Sequence, residues 1–205
     1  KGKLLEAYKS AENFYQIATK HSEQEQAFLA SITSAPGASA TLQDELKALG
    51  ETISPDAILR SAASKTSVEE LDQLLTSKQA ELVSREGALV KMTEQISQQK
   101  LRPDTIRERQ AEIATALGKI DEGINASPSE ADPFKLPFAL QTDLAAQKAA
   151  RQAELAMLEQ ERISLPLRSA RAIAERDLIT KQIANGTVEV ETLESELIKR
   201  RRQLA

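Results

Sequence analysis

The sequence predicts an all-α protein built as an elongated antiparallel coiled coil or helical bundle. Two observations predict this fold. Only 3% of the 205 residues are aromatic and 28% are charged, with seven glycines and seven prolines. This composition is typical of long helices that pack through leucine and alanine stripes. Apolar residues also recur in alternating steps of three and four, which is the heptad rhythm of packed helices.

Charge and cysteine content exclude several classes of function. The 27 basic and 31 acidic residues give a net charge of −4, whereas nucleic-acid-binding domains usually carry a basic surface. We therefore expect no nucleic-acid partner. The chain contains no cysteine, which excludes disulfides, thiolate metal sites and thiol catalysis. No apolar run approaches the roughly 18 residues of a membrane span.

The N-terminal third, residues 1–66, predicts one long helix and two short ones. The long helix covers 3–33, and we expect a break at 34–39, SAPGAS, because proline and glycine interrupt helices. Short amphipathic helices are expected at 41–49 and 55–64. The stripe of the long helix comprises Leu4, Tyr8, Ala11, Tyr15, Ala18, Ser22, Glu25, Leu29 and Ile32.

Local signals predict one boundary for each of the two short helices and the start of the helix that follows them. Gly50 follows the segment 41–49 and suits a helix stop. Pro55 suits the first turn of the next helix. Ser67 and Glu70 form the spacing of a capping box, in which each residue bonds the backbone amide of the other. We therefore expect a further helix to begin next to Ser67.

Residues 67–205 predict a long helical hairpin with arms 67–125 and 142–204. The connection, 125–141, contains three of the seven prolines. At about 1.5 Å per residue, each arm would be on the order of 90 Å long, and the first helix would lie beside the inner half of the arms to make a three-helix section. The first arm has the seam Leu71, Leu75, Lys78, Leu82, Arg85, Leu89, Met92, Ile96, Gln99, Ile106, Gln110, Ile113, Leu117, Ile120 and Ile124. The second arm has the stripe Leu144, Leu155, Leu158, Ile163, Ala170, Ala174, Leu178, Ile183, Val190, Leu193, Leu197 and Leu204.

Pro103 and Pro166 fall inside the two predicted arms. An interior proline costs about 3 kcal/mol or more, which favours a break. The heptad steps nevertheless pass through Pro103 without a slip, and neighbouring residues lack turn chemistry. Pro103 lies 22 residues before Asn125, and Pro166 lies 24 residues after Thr142, so we predict kinks at similar levels of a paired rod. A turn at Pro103, which would give a compact bundle, is the alternative.

No residue pattern predicts catalysis, a cofactor or a metal. The single histidine, His21, has no second ligand nearby and is interpreted as a solvated surface residue. Carboxylates recur as pairs that match exposed helix faces instead of a converging pocket: Glu69 with Glu70, Glu159 with Glu161, and Glu194 with Glu196. The sequence therefore predicts neither an enzyme nor a small-molecule site.

The only run of like charge is Lys199-Arg200-Arg201-Arg202. Such a run could contact anionic lipid headgroups or nucleic acid. Basic residues are also favoured at the C-terminal end of any helix, where they face the negative end of the helix dipole. We interpret the run in this second way.

Several blocks stand in a distinctive order: AYKSAENFY, SAPG, TSVEELDQLL, RPDTIRERQAEI, ERISLPLRSARAIAERDLITKQI and LESELIKRRR. In this order they resemble the periplasmic N-terminal domain of large mechanosensitive channels related to MscS, of the MscK and MscM type. Some descriptions of that domain call it porin-like, but the heptads here indicate helices. The resemblance covers most of the chain.

The resemblance implies a non-catalytic periplasmic helical domain of a bacterial inner-membrane channel that opens under membrane tension during hypoosmotic shock. It implies self-association with identical subunits, as a homo-heptamer, and proximity to the membrane through segments outside this chain. The pore residues of that family have no counterparts here, so no functional residue carries over. Patterns at both chain ends lead us to expect a single domain, 1–205, cut from a larger protein. Two alternatives remain open from the residues alone: a cytosolic coiled-coil scaffold or filament segment, and a helical-hairpin adaptor of an exporter.

Overall fold

A computed structural model describes residues 2–50, 53–62, 67–127 and 130–204. These residues form four helices: α1 (Gly2–Ala48), α2 (Pro55–Ala62), α3 (Val68–Ala126) and α4 (Leu136–Leu204). No strand occurs in these four segments. The all-α prediction is therefore confirmed.

The chain divides into two compact units. Unit 1 comprises Lys1–Ala35 and Gln99–Arg168, and unit 2 comprises Pro36–Gln98 and Ser169–Ala205. Helices α1, α3 and α4 each contribute a segment to both units. Unit 1 is the three-helix section that the sequence predicts.

Helix α1 corrects the predicted break at 34–39. It runs from Gly2 to Ala48 without interruption, with Pro36 inside it, so the predicted pieces 3–33 and 41–49 belong to one helix. One series of buried or half-buried residues follows alternating steps of four and three along the helix: Ala7, Ala11, Phe14, Ala18, His21, Glu25, Phe28, Ile32, Ala35, Ser39, Leu42 and Leu46. The predicted stripe is wrong at Tyr15, Ser22 and Leu29, which are exposed.

The predicted boundaries at Gly50, Pro55 and Ser67 are confirmed, whereas the predicted helix end at residue 64 lies outside the described residues. Gly50 follows the end of α1 and has φ of 57°, a conformation that costs little only for glycine. The Ser54 hydroxyl accepts a hydrogen bond from the Ala57 amide at the start of α2. At the start of α3 the Glu70 amide donates to the Ser67 hydroxyl at 3.0 Å, and the Ser67 amide donates to the Glu70 carboxylate at 3.4 Å. This is the predicted capping box.

Pro103 and Pro166 lie inside continuous helices, α3 and α4. The alternative of a turn at Pro103 is therefore wrong. Pro36, Pro103 and Pro166 are all exposed, so the carbonyl that each ring deprives of its helical bond can bind water instead. A kink at Pro103 and at Pro166 stays a prediction.

Unit 1 has its core where α3 and α4 pack antiparallel, since contacts pair Arg102 with Glu161 and Asp121 with Lys148. The buried cluster comprises Ile106, Ile113, Met157 and Leu158, and Phe28 of α1 packs on it. Near the connection between α3 and α4, the Tyr8 hydroxyl donates to the Pro133 carbonyl at 2.6 Å. Helix α1 therefore contacts both the loop and the core of this unit.

Unit 2 has a separate core in which α2 packs on α3 and α4. The buried cluster comprises Ile58, Ala62, Leu71, Leu75, Val190, Leu193 and Leu197. Polar pairs join the same helices in antiparallel order: Gln79 donates to Glu194 at 2.9 Å, and Arg201 donates to Asp72 at 3.0 Å. Each unit thus supplies its own burial for the helices that run through it.

The seam predicted for α3 is confirmed at every position, since all of its residues are buried or half-buried. The stripe predicted for α4 is correct for most residues but wrong at Ile163, Ala170 and Leu204, which are exposed. Helix α4 also begins at Leu136, six residues before the predicted arm. Its buried positions include Glu154 and Glu161, which an apolar pattern does not reveal.

Candidate functional site

Two arginines of α3 meet two glutamates of α4 inside unit 1. We name this set, Arg102, Arg109, Glu154 and Glu161, the Arg–Glu ladder. Both glutamates are buried, with 8% of Glu154 and 5% of Glu161 exposed to solvent. Charged residues are rarely this buried unless they are paired, so the ladder is the most specific polar feature of this unit.

The first rung joins Arg102 and Glu161 through two parallel hydrogen bonds. Arg102 Nε donates to Glu161 Oε1 at 2.6 Å, and Nη2 donates to Oε2 at 2.8 Å. This bidentate geometry is the strongest form of an arginine–carboxylate contact. The neighbouring Ser164 hydroxyl, which is fully buried, donates to the Glu161 carbonyl at 2.9 Å. The Glu161 carboxylate and the Ser164 hydroxyl are therefore both hydrogen-bonded.

The second rung joins Arg109 and Glu154 and extends to two further charges. Arg109 Nε and Nη2 donate to Glu154 at 2.7 and 3.2 Å. Arg151 Nη1 also donates to Glu154 at 2.9 Å, and Arg109 Nη1 donates to Glu112 at 2.8 Å. Two arginines thus neutralise one buried carboxylate, and the second acidic group, Glu112, balances the excess positive charge.

The pKa values follow from these contacts. The hydrogen bonds that Arg102 donates to Glu161 raise the pKa of Arg102. Burial acts to raise the pKa of Glu154, but the hydrogen bonds from Arg109 and Arg151 outweigh it and hold that pKa below its usual value. Glu154 is therefore ionised at neutral pH, and the second rung is a charged pair.

The spacing of the rungs fixes how α3 and α4 align. Arg102 and Arg109 are seven residues apart, and so are Glu154 and Glu161. In an antiparallel pair, both rungs form together in one alignment. A slip of seven residues would break both rungs, pair only one arginine with one glutamate, and leave the other glutamate without an arginine. A buried carboxylate without its partner is strongly destabilising, so the ladder selects one alignment.

Hydrogen bonds of Glu130 hold the described loop residues that lead into α4, 130–135. The Glu130 carboxylate accepts from the amides of Ala131 and Asp132 at 3.0 and 3.1 Å, and it forms a salt bridge with Lys135 at 3.1 Å. Hydrogen bonds with Lys135 and these amides lower the pKa of Glu130. Phe134 is 87% exposed at the surface of this loop.

The carboxylate pairs, His21 and the basic run do not form a common site. The interpretation of Glu159 with Glu161 as an exposed face is wrong for Glu161, although Glu159 does form a surface pair with Arg162 at 2.7 Å. His21 is half-buried instead of solvated, and its Nδ1 has no hydrogen-bond partner among the described residues. In the basic run, Arg200 pairs with Glu196 and Arg201 with Asp72.

The four described segments hold neither a metal cluster nor a membrane span. Their His, Cys, Asp and Glu side chains form no group of three or more that could hold a metal ion. None of their helices is long and apolar enough to cross a membrane. The ladder itself offers no reactive group, because both of its carboxylates accept hydrogen bonds from arginines. What it can do chemically is hold two helices in alignment.

Comparison with known proteins identifies the family. Neither a curated protein nor a solved structure matched the chain. A family model described as the mechanosensitive ion channel porin domain matches residues 1–205. That family consists of ion-channel domains and not of enzymes, and the match favours a channel over the coiled-coil scaffold and exporter alternatives. The chain therefore belongs to the mechanosensitive ion channel porin domain family.

Proposed function

We propose that this chain is a periplasmic helical domain of an inner-membrane mechanosensitive channel of the MscS family, where it acts as a non-catalytic scaffold that biases channel opening. The observation that carries this proposal is the family match, which extends over residues 1–205. The match as a single span also supports one functional domain. The proposed role in cells is osmotic protection through tension-gated release of solutes.

The mechanism requires a stiff domain, so that a contact made by the domain can affect the rest of the channel. Long continuous helices with two apolar cores and an aligned Arg–Glu ladder suit such a role. A contact can shift a closed–open equilibrium only if it differs between the two states. We propose that contacts of this domain differ between the closed and open channel, and that the ladder keeps the helices aligned while those contacts change.

Channels of the MscS family are oligomeric, and we propose a homo-heptamer here. The proposal includes no nucleic-acid, cofactor or small-molecule partner, and it places the domain near the membrane through other segments of the channel. In such an assembly each domain would meet copies of itself. Those contacts are the natural source of a bias on gating, because subunits rearrange relative to one another when a channel opens.

The experiment is deletion of residues 1–205 from the channel that carries them. Patch recordings would compare the tension threshold and the rate of inactivation with those of the intact channel, and native electrophoresis would compare assembly. We expect the tension threshold to shift, because a scaffold that biases opening changes the closed–open equilibrium; inactivation and assembly are measured to find whether the domain also acts on them. If threshold, inactivation and assembly all stayed the same, the scaffold role would be wrong.

A further inference from the structure

Helix α3 carries a second heptad stripe that no other described part of unit 2 covers. Ala80, Val83, Gly87 and Val90 follow steps of three, four and three, and all four are exposed. Val83 is 67% and Val90 is 64% exposed. We name these four residues the outer stripe. Single exposed valines need no explanation, but a heptad-spaced series of apolar and small residues is the pattern of a helix-packing face.

The outer stripe lies opposite the face that α3 uses within its own chain. The inward face includes Leu82 and Arg85, both close to Gly186 of α4, and continues through Leu89 and Met92. At 3.6 residues per turn, the outer stripe is rotated by about 160° from that face. The outer stripe therefore contributes nothing to the packing of unit 2 and is available to a second helix.

Charges beside the outer stripe indicate which helix this is. Glu86 and Lys91 flank the stripe on opposite sides and are five residues apart. In parallel heptad helices, residues with this spacing on adjacent chains meet as interhelical salt bridges. Neither residue forms a salt bridge within the described part of the chain. The outer stripe is thus complementary to a parallel, in-register copy of itself, because Glu86 of one copy would meet Lys91 of the next.

We propose that the outer stripe is a contact between copies of this chain, with α3 helices parallel and in register. The proposal rests on the self-association included in the proposed function, and it identifies the surface through which the copies associate. Gly87 lets the backbones approach closely, and Val83 and Val90 supply the apolar contact. The contact ends before Glu94, the next position of the heptad, because in-register copies would bring its carboxylates together. Its apolar area is small, so it suits copies that the assembly already holds at high effective concentration.

Residues 1–205 contain no cysteine, so single-cysteine cross-linking gives a direct test once any cysteine elsewhere in the channel is replaced by serine. Val83→Cys and Val90→Cys would be introduced separately into the channel that carries this domain, in membranes. Disulfides form only between residues whose Cα atoms are within about 7 Å. Ala88→Cys and Gln95→Cys are matched controls, because both residues are exposed on α3 but lie outside the stripe. We expect covalent dimers at several-fold higher yield from the stripe variants, and equal yields from stripe and control positions would overturn the proposal.

A charge exchange tests the orientation. Glu86→Lys in the Val90→Cys background should reduce the cross-linked fraction several-fold, and adding Lys91→Glu should restore it. All of these residues are exposed, so folding should be retained, and circular dichroism verifies it. A cross-linked fraction that ignores both substitutions would overturn the parallel, in-register contact. The outcomes separate this proposal from the gating role. If cross-links form but deletion of residues 1–205 changes no channel property, only the gating role is wrong. If deletion changes the channel but the stripe positions do not cross-link, only the contact is wrong.

Discussion

Arg102 and Glu161 lie 59 residues apart in the chain, yet they meet through two hydrogen bonds of 2.6 and 2.8 Å. The pair joins α3 and α4, and it buries the carboxylate while the arginine side chain stays partly exposed. A buried ion pair often contributes little net stability compared with an apolar pair, but loss of one partner is costly. The pair is therefore best understood as selecting the alignment of the two helices.

Glu161→Gln should destabilise unit 1. The substitution keeps the shape of the side chain but removes the charge that holds Arg102, and it leaves a buried amide with fewer partners. We expect a loss of about 1–3 kcal/mol in the free energy of unfolding, below the value for a fully buried pair because Arg102 reaches solvent. Chemical denaturation of the 205-residue chain measures it. Glu108→Gln is the control, because Glu108 is exposed, and it should change stability by less than about 0.5 kcal/mol.

The second rung predicts a pH dependence with a defined sign. Because the pKa of Glu154 is lowered in the folded state, the unfolded chain binds more protons and stability rises with pH in that range. The contribution of this carboxylate is complete above the unfolded pKa, about 4.3, and is lost as pH falls through the lower folded value. We expect the stability difference between the native chain and Glu154→Gln to be largest above about pH 5 and to shrink toward about pH 3. A difference that stays constant from about pH 7 to about pH 3 would show that Glu154 is not held in its charged form.

Pro103→Ala should preserve or increase helicity. Pro103 is exposed inside α3, so alanine removes no buried contact and restores a backbone amide to the helix. We expect a stability gain of about 1–3 kcal/mol, measured by denaturation and far-ultraviolet circular dichroism. Pro55→Ala, at the first position of α2, should have little effect, because proline is well tolerated there. A loss of stability in Pro103→Ala would mean that the proline ring is needed for the native shape of α3.

Gly50 and Gly118 should respond to alanine in opposite directions. Gly50 has φ of 57° after the end of α1, where alanine costs about 1–2 kcal/mol. Gly118 lies inside α3, and no neighbouring atom lies within 4 Å of the position that an alanine methyl group would occupy, so alanine should stabilise by about 0.5–1 kcal/mol. Thermal unfolding of both variants measures the difference. A gain of stability in Gly50→Ala would contradict the positive φ at Gly50, and a loss in Gly118→Ala would contradict the open space at Gly118.

The heptad pattern alone predicts which residues of helix α3 face the interior. Its seam was predictable through Pro103, because residues on both sides of the proline keep the same register. The same argument applied to α1 would have joined 3–33 with 41–49, since Ala35, Ser39 and Leu42 continue its stripe. Proline and glycine in SAPGAS predict a break in the helix. The helix continues instead, because residues on both sides of Pro36 are buried while the proline ring itself faces solvent.

The Arg–Glu ladder could not be predicted from apolar periodicity. Glu154 and Glu161 occupy buried positions of α4 where the pattern expects apolar residues, and charged residues are normally assigned to the surface. Only the alignment of α3 with α4 reveals that two arginines stand opposite them. The matching seven-residue spacings, 102 to 109 and 154 to 161, are the one signal in the sequence that indicates such a pairing.

The tension threshold of a channel carrying Glu161→Gln tests the central claim most directly. The claim is that an aligned helical domain biases gating, so loosening the ladder should alter gating while the pore stays unchanged. We predict that patch recordings of Glu161→Gln show a threshold shifted in the same direction as deletion of residues 1–205, whereas Glu108→Gln matches the native channel. A native threshold in Glu161→Gln, in a domain whose stability is measurably reduced, would contradict the account.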